Sequence, residues 1–122
     1  MFLTITGLIF CMNACLFQLA RANFTILALH GGDDVPYHVS FVNESNEYFP
    51  KHAEQNGYKY HSTDDKNQMN ESNLKNYQVV MLLDRTPKVL SNQQQMALQK
   101  YVENGGGLIG FHGAGKYENA SD

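Results

Sequence analysis

Three stretches of the chain are almost continuously apolar, and each has the length of one β-strand. They cover residues 24–29, 78–83 and 108–111. A strand that is apolar at every position, not only at alternate positions, is typical of a parallel sheet covered on both faces. A more polar stretch, residues 58–63, fits a strand nearer the edge of the same sheet. The pattern therefore predicts a parallel α/β sheet of four strands.

The segments between the predicted strands carry helical signals. Residues 39–55 alternate apolar and polar positions at roughly helical spacing, and Gly57 ends this helix. Pro50 either kinks the helix or starts a second one. Residues 67–73 have the composition of a polar loop. The order of elements is β-α-β-α-β-α-β, which is the alternation of a doubly wound sheet.

The last helix has the clearest start and end. Ser91 and Gln94 match a capping box, so we expect the helix to begin there. Gly105 is placed to end it in a left-handed conformation. One face of this helix carries apolar residues at helical spacing, namely Ala97, Leu98, Tyr101 and Val102.

The first 22 residues have the pattern of an export signal. Residues 2–19 are apolar with few breaks, and Ala20-Arg21-Ala22 matches a signal-peptidase site. We expect cleavage there, which would give a secreted or periplasmic protein that begins at Asn23. No basic residue precedes position 20, so an uncleaved membrane anchor and a buried strand stay open as alternatives. Lipidation at Cys15 is a further export route.

Composition excludes several functional classes. The chain is 43% hydrophobic and 17% charged, which suits one globular domain. Without the leader, the chain has eight basic and twelve acidic residues, so its net charge is −4. The sequence has no basic patch that would bind nucleic acid. Cys11 and Cys15 both lie in the leader. The mature chain would therefore have no disulfide, no thiolate metal site and no cysteine nucleophile.

Two histidines follow predicted strands. His112 comes directly after the strand 108–111, and His38 lies in the loop after the strand 24–29. Ligands of open α/β sheets bind at the carboxyl ends of the strands, so these two side chains could converge on one pocket. A neutral imidazole binds a metal such as zinc, transfers protons or bonds a sugar hydroxyl. The structural alternatives are packing against a helix for His112 and an exposed loop position for His38.

Other polar residues lie near the ends of the same strands. His30 directly follows the first strand, where capping of the strand end is the structural alternative, and His52 and His61 fit surface or edge positions. An aspartate near a strand end could supply a third ligand or orient an imidazole. Asp also favours turns because it bonds its own backbone, and most of these aspartates fit that role. They are Asp33, Asp34, Asp64, Asp65 and Asp84.

A longer segment carries a family resemblance. Residues 101–114 run from a helix through a glycine triplet into a strand that ends in Gly-Phe-His-Gly-Ala. Together with four other parts of the chain, this segment resembles the N-terminal half of the ThuA-like, or trehalose-utilisation, family. Those parts are the strand 24–29, the later Pro36-Tyr37-His38, the segment 76–82 and the pair Leu90-Ser91. The resemblance implies a doubly wound, mainly parallel α/β domain of the flavodoxin-like, class I glutamine amidotransferase-like type. Family domains are longer, so we expect residues 23–122 to be a fragment, incomplete at the C-terminus.

The resemblance also implies a role in carbohydrate metabolism. True amidotransferases have a catalytic cysteine in a Gly-x-Cys-x-Gly elbow at the position of residues 110–114, where this chain has His112. An imidazole cannot form the thioester of glutamine hydrolysis, so we expect no glutaminase activity. An exported enzyme that acts on a sugar and a non-catalytic carbohydrate-binding module both stay open.

These arguments lead to a predicted site that takes a sugar or sugar derivative. His38 and His112 are its predicted catalytic residues, and they are also the predicted ligands of any divalent metal, such as zinc. The only predicted partner is a small-molecule carbohydrate, with further domains expected in a longer chain. The residues assigned to substrate binding are Gly110, Gly113, Tyr37 and Asp84.

Overall fold

The computed structural model describes residues 23–31 and 35–115. The predicted leader, residues 1–22, and the pair Asp33 and Asp34 lie outside the described residues. Within them, four strands form one all-parallel sheet in the order β2-β1-β3-β4. The predicted parallel α/β sheet is confirmed. The strands are β1 (Thr25–Leu29), β2 (Lys59–Thr63), β3 (Val79–Leu83) and β4 (Gly107–Phe111).

Helices connect these strands. Pro50 lies inside α1, so this segment is one helix rather than two. Residues 67–73, which the sequence predicts as a loop, instead contain α2 and part of a short 3-10 helix. Asp65 and Asn70 start these two short helices by accepting hydrogen bonds from backbone N–H groups two and three residues further on. The helices are α1 (Pro36–Asn56), α2 (Glu71–Leu74) and α3 (Asn92–Glu103), with 3-10 helices at Lys66–Gln68, Pro87–Val89 and His112–Gly115.

The start of α3 shows the predicted capping box. The Ser91 hydroxyl accepts a hydrogen bond of 3.3 Å from the backbone N–H of Gln94. The Gln94 side chain in turn accepts one of 2.9 Å from the backbone N–H of Ser91. Two backbone donors that a helix start leaves unpaired are thereby satisfied.

Alternate residues of the central strands enter two separate cores. On one face of the sheet, Leu27 and Leu82 pack with the buried Leu98 of α3. On the other face, Ala28 and Met81 pack with aromatic side chains that include Phe41 and Phe49 of α1, both partly buried. Helices therefore cover both faces of β1 and β3, which explains why the two strands are continuously apolar.

The outermost strand β4 differs from its prediction as a buried strand. Leu108 and Ile109 are 45% and 42% exposed. The physical reason is position, because β4 pairs with β3 on one side only within the described residues. Apolar residues at every position of a strand thus do not by themselves decide whether the strand is covered. None of the helices in the described residues is long and apolar enough to cross a membrane.

Candidate functional site

Two turns at the carboxyl ends of β3 and β4 carry central residues of the candidate site. Asp84 directly follows β3 and His112 directly follows β4, and Leu83 is the register partner of Phe111. The residues that directly follow the two strands, Asp84 and His112, therefore lie side by side. Asp84 and His112 have φ angles of 51° and 46°, in the left-handed region that non-glycine residues adopt infrequently. Such backbone conformations concentrate at functional sites.

His38 joins these two residues from the first turn of α1. The sequence placed it in a loop, but Pro36 is the first residue of α1, where the fixed φ of proline favours a helix start. His38 Nδ1 lies 3.3 Å from Asp84 Oδ2. The ring centroids of His38 and His112 are 5.0 Å apart. The structure thus brings the two predicted histidines to one place.

Asp84 lies between the two histidines, and its side chain is 4% exposed. Its Oδ1 accepts hydrogen bonds of 2.8 Å from His112 Nδ1 and 2.9 Å from the backbone N–H of Gly113. Its Oδ2 is buried and accepts no hydrogen bond from any described residue, since the 3.3 Å contact with His38 lacks hydrogen-bond geometry. An ionised carboxylate only accepts, so the hydrogen bond to Oδ1 places a proton on His112 Nδ1.

A small pocket of about 210 Å³ lies beside His38 and Asp84. The carboxyl end of β1 contributes His30 and Gly31, the turn after β3 contributes Asp84, and α1 contributes the rest of the wall. The α1 residues are spaced at helical intervals, so they share one face of the helix. They are His38, Val39, Val42, Asn43 and Asn46.

The other three residues that were predicted to bind substrate are Tyr37, Gly110 and Gly113, and each has different contacts near the site. Tyr37 is exposed, and its ring packs edge-on against His38 with centroids 4.5 Å apart. Gly110 is in β4, where a Cβ would come within 2.9 Å of the Ala114 Cβ. Gly113 contacts Asp84 through its backbone. The assignment of these residues to substrate binding stays a prediction.

Similarity to known proteins identifies the family of the chain. The family model for ThuA, described as trehalose utilisation, matches residues 26–122. The chain belongs to the ThuA family. The solved structure of a protein from Bacteroides uniformis, described as ThuA-like, is similar to this ThuA domain, with a TM-score of 0.71 and 28% sequence identity. The match covers 80% of this chain but 39% of that protein, and no curated protein matches the chain.

Sequence reasoning missed the wall that α1 gives to the pocket of this ThuA domain. The predicted site included only strand ends and the loops after them, because ligands of open α/β sheets bind there. A usable signal was present, since Val39, Val42, Asn43 and Asn46 have the spacing of one helical face. Asn46 is already engaged, because its Oδ1 accepts hydrogen bonds from the hydroxyl groups of Tyr60 and Ser62.

The remaining histidines of the ThuA domain make contacts elsewhere. His52 Nδ1 lies 2.8 Å from the Tyr58 hydroxyl, and His61 Nδ1 lies 3.1 Å from the Tyr77 hydroxyl. A larger cavity of about 500 Å³ lies between α2 and α3, and its lining includes Gly106 at the amino end of the sheet. Neither His52 nor His61 lines the pocket beside His38, so both provide control positions for experiments on the site.

Proposed function

We propose that this ThuA domain belongs to an exported protein of carbohydrate metabolism that acts on a sugar or sugar derivative by histidine acid–base chemistry. The family description, trehalose utilisation, supports the substrate class. The observation that carries the proposal is the buried carboxylate of Asp84, which contacts both His38 and His112 beside a small pocket. A carboxylate that orients an imidazole is a recurrent arrangement in acid–base catalysis.

In the proposed chemistry, His112 is the group that exchanges protons with the sugar: it does not line the pocket itself but contacts two residues that do, His38 and Asp84. The proton on its Nδ1 is directed to Asp84, so Nε2 has a lone pair that accepts a proton from a sugar hydroxyl. The imidazolium that forms is stabilised by the adjacent carboxylate. Asp84 is then a positioning residue, because it acts through the histidine and not on the sugar.

The pocket favours a small sugar. Its volume of about 210 Å³ is below the roughly 300–1,000 Å³ that is usual for drug-sized ligands, so one sugar ring suits it better than an oligosaccharide. The side chains of His30 and Asn43 would bond hydroxyl groups. Val39 and Val42 would contact the apolar C–H face of the ring.

A non-catalytic carbohydrate-binding module is the second candidate function. The His112 side chain is 65% exposed, and this observation favours the module. Efficient acid–base sites usually exclude water from the reacting groups, whereas a site that only binds a sugar has no such requirement.

Calorimetric titration of the full chain with glucose and trehalose tests the proposal, with a chelator present to remove metal ions. We expect Asn43→Ala to weaken sugar binding by about tenfold, the value of roughly one hydrogen bond. His61→Ala is the matched control and should bind as the wild type does. A wild-type chain that binds neither sugar, or an Asn43→Ala variant with unchanged affinity, would reject this pocket as the sugar site.

Turnover then separates the two candidate functions. For an enzyme, product detected by nuclear magnetic resonance should disappear in His112→Ala and persist in His61→Ala. Sugar binding without product in the wild type would instead favour the module.

The pattern that supports export is tested separately, by mass spectrometry of protein from the native host. A chain that begins at Asn23 is expected, and an intact segment 1–22 would reject cleavage.

A further inference from the structure

The side chains of His38, Asp84 and His112 form a cluster with the donor set of a metal site. Each offers one ligand atom, and these atoms all lie within 4.8 Å of one another. The three residues come from separate elements, namely the first turn of α1 and the turns that follow β3 and β4. The contacts of each side chain are therefore fixed by the fold and do not follow from local sequence.

The spacing of the cluster fits a tetrahedral metal ion. Zinc bonds of about 2.0–2.2 Å to nitrogen and oxygen place neighbouring ligand atoms roughly 3.3–3.5 Å apart. His38 Nδ1 and Asp84 Oδ2 are separated by 3.3 Å without hydrogen-bond geometry. His112 Nδ1 instead contacts the other oxygen, Asp84 Oδ1, at 2.8 Å, so the exposed His112 ring would rotate away from this hydrogen bond to share an ion with Oδ2.

The buried oxygen of Asp84 is an independent observation that points to a cation. Oδ2 belongs to a side chain that is 4% exposed, and no described residue donates a hydrogen bond to it. Burying a charged acceptor that receives no hydrogen bond is costly, and a bound cation would offset that cost. Oδ1 is different, since the Gly113 N–H already holds it and fixes the orientation of the carboxylate.

We propose that His38, Asp84 and His112 bind one divalent transition-metal ion, with zinc as the best fit. Two imidazoles and one carboxylate suit zinc, whereas calcium and magnesium prefer oxygen ligands alone. Three protein ligands leave a fourth position open, as in catalytic zinc sites. This inference rests on the site of the proposed function, but the ion itself binds without a sugar. A His112 that bound the ion through Nδ1 would carry its proton on Nε2, so in a chain with the ion bound the open position, and not His112 as a base, would take up water or a sugar hydroxyl.

Metal titration of the full chain tests the site in the absence of sugar. We expect one equivalent of zinc by elemental analysis after removal of excess ion, and a competition titration against a chromophoric chelator gives its affinity. His38→Ala, Asp84→Asn and His112→Ala should each lower the affinity at least tenfold. His61→Ala is the matched control and should leave it unchanged. Asp84→Asn keeps an oxygen that accepts from the Gly113 N–H, so it removes the charge with little effect on the fold.

A second measurement needs no variant. Cobalt bound to the wild-type chain should give the strong visible absorption of a tetrahedral site, whereas weak octahedral absorption would contradict the proposed tetrahedral, zinc-type geometry. Less than one equivalent of zinc, or unchanged affinity in Asp84→Asn shown to be folded by circular dichroism, would overturn the inference. Sugar binding measured with chelator is independent of these results. A chain that binds sugar but no metal therefore rejects this inference alone, and one that binds metal but no sugar rejects the proposed function.

Discussion

Gly113 and Asp84 are in closer contact than any other residue type at position 113 would allow. The Gly113 N–H donates a hydrogen bond of 2.9 Å to Asp84 Oδ1. A Cβ at position 113 would come within 2.5 Å of the same oxygen. This oxygen also accepts the hydrogen bond of His112. The backbone after β4 therefore holds the carboxylate that contacts both histidines.

This contact predicts that Gly113→Ala damages the site. The added methyl group must displace the Asp84 carboxylate, which breaks a buried hydrogen bond and costs about 1–3 kcal/mol. We expect a lower urea midpoint and zinc affinity reduced at least tenfold. Gly115→Ala is the matched control in the same 3-10 helix, because a Cβ there has no atom outside its chain neighbours within 4 Å. Equal behaviour of the two variants would contradict the proposed role of Gly113.

Local patterns in the sequence predicted much of the fold. The central strands β1 and β3 lie under helices on both faces, so nearly every position is buried and the apolar runs mark them clearly. The start of α3 depends on contacts within four residues, and the capping box at Ser91 therefore predicted it. The loop prediction for residues 67–73 failed because Asn70 caps a helix of only four residues, which is too short for a periodic pattern.

The candidate site was less predictable, because it depends on contacts between distant elements. Asp84 was one of five aspartates near strand ends, and nothing local distinguishes it from a turn residue. Its contacts with the histidines require the β3–β4 register and a helix that begins at Pro36. Parallel topology predicted that His38 and His112 were candidates for one site. The sequence also allowed an aspartate to orient an imidazole and assigned Asp84 to substrate binding, but it did not show that the Asp84 carboxylate lies between the two histidines.

A core variant should separate burial from helix propensity in α3. Leu98 is 5% exposed and packs in the core beside β1 and β3, whereas Met96 on the same helix is 69% exposed. Leu98→Ala should lower the free energy of unfolding by about 2–5 kcal/mol, because it leaves a cavity. Met96→Ala should change it by less than about 0.5 kcal/mol. Urea denaturation followed by circular dichroism measures both, and similar losses would mean that Leu98 is not a core residue.

Asp65 should give the stability of the chain a specific acid dependence. The backbone N–H of Asn67 donates a hydrogen bond of 2.9 Å to the Asp65 carboxylate, and the Gln68 side chain donates a longer one of 3.4 Å. These bonds, the first more than the second, hold the pKa of Asp65 below its ordinary value. A carboxyl group with a lowered pKa in the folded state stabilises the protein at pH values above the pKa of the unfolded state. That stabilisation is lost as the pH falls through the lower pKa of the folded state.

The resulting experiment compares wild type with Asp65→Asn by urea denaturation across the acid range. The wild type should be slightly more stable near neutral pH, and the difference should shrink below about pH 4, the ordinary value for Asp. The effect is small because the carboxylate is exposed. Asp64→Asn is the control, since it removes the same charge from a neighbour that does not accept the Asn67 hydrogen bond. A difference that stays constant with pH would contradict the role of Asp65.

The full chain should not release ammonia from glutamine. In the amidotransferase elbow that residues 110–114 resemble, the nucleophile must form a thioester, and His112 supplies an imidazole that is hydrogen-bonded to Asp84 instead. A coupled ammonia assay should therefore match a control without protein. The two cysteines of the sequence are Cys11 and Cys15, outside the described residues, so a double Cys→Ser variant controls for an unexpected thiol reaction. Ammonia release that persists in this variant and disappears in His112→Ala would show that the histidine performs the hydrolysis that its chemistry argues against.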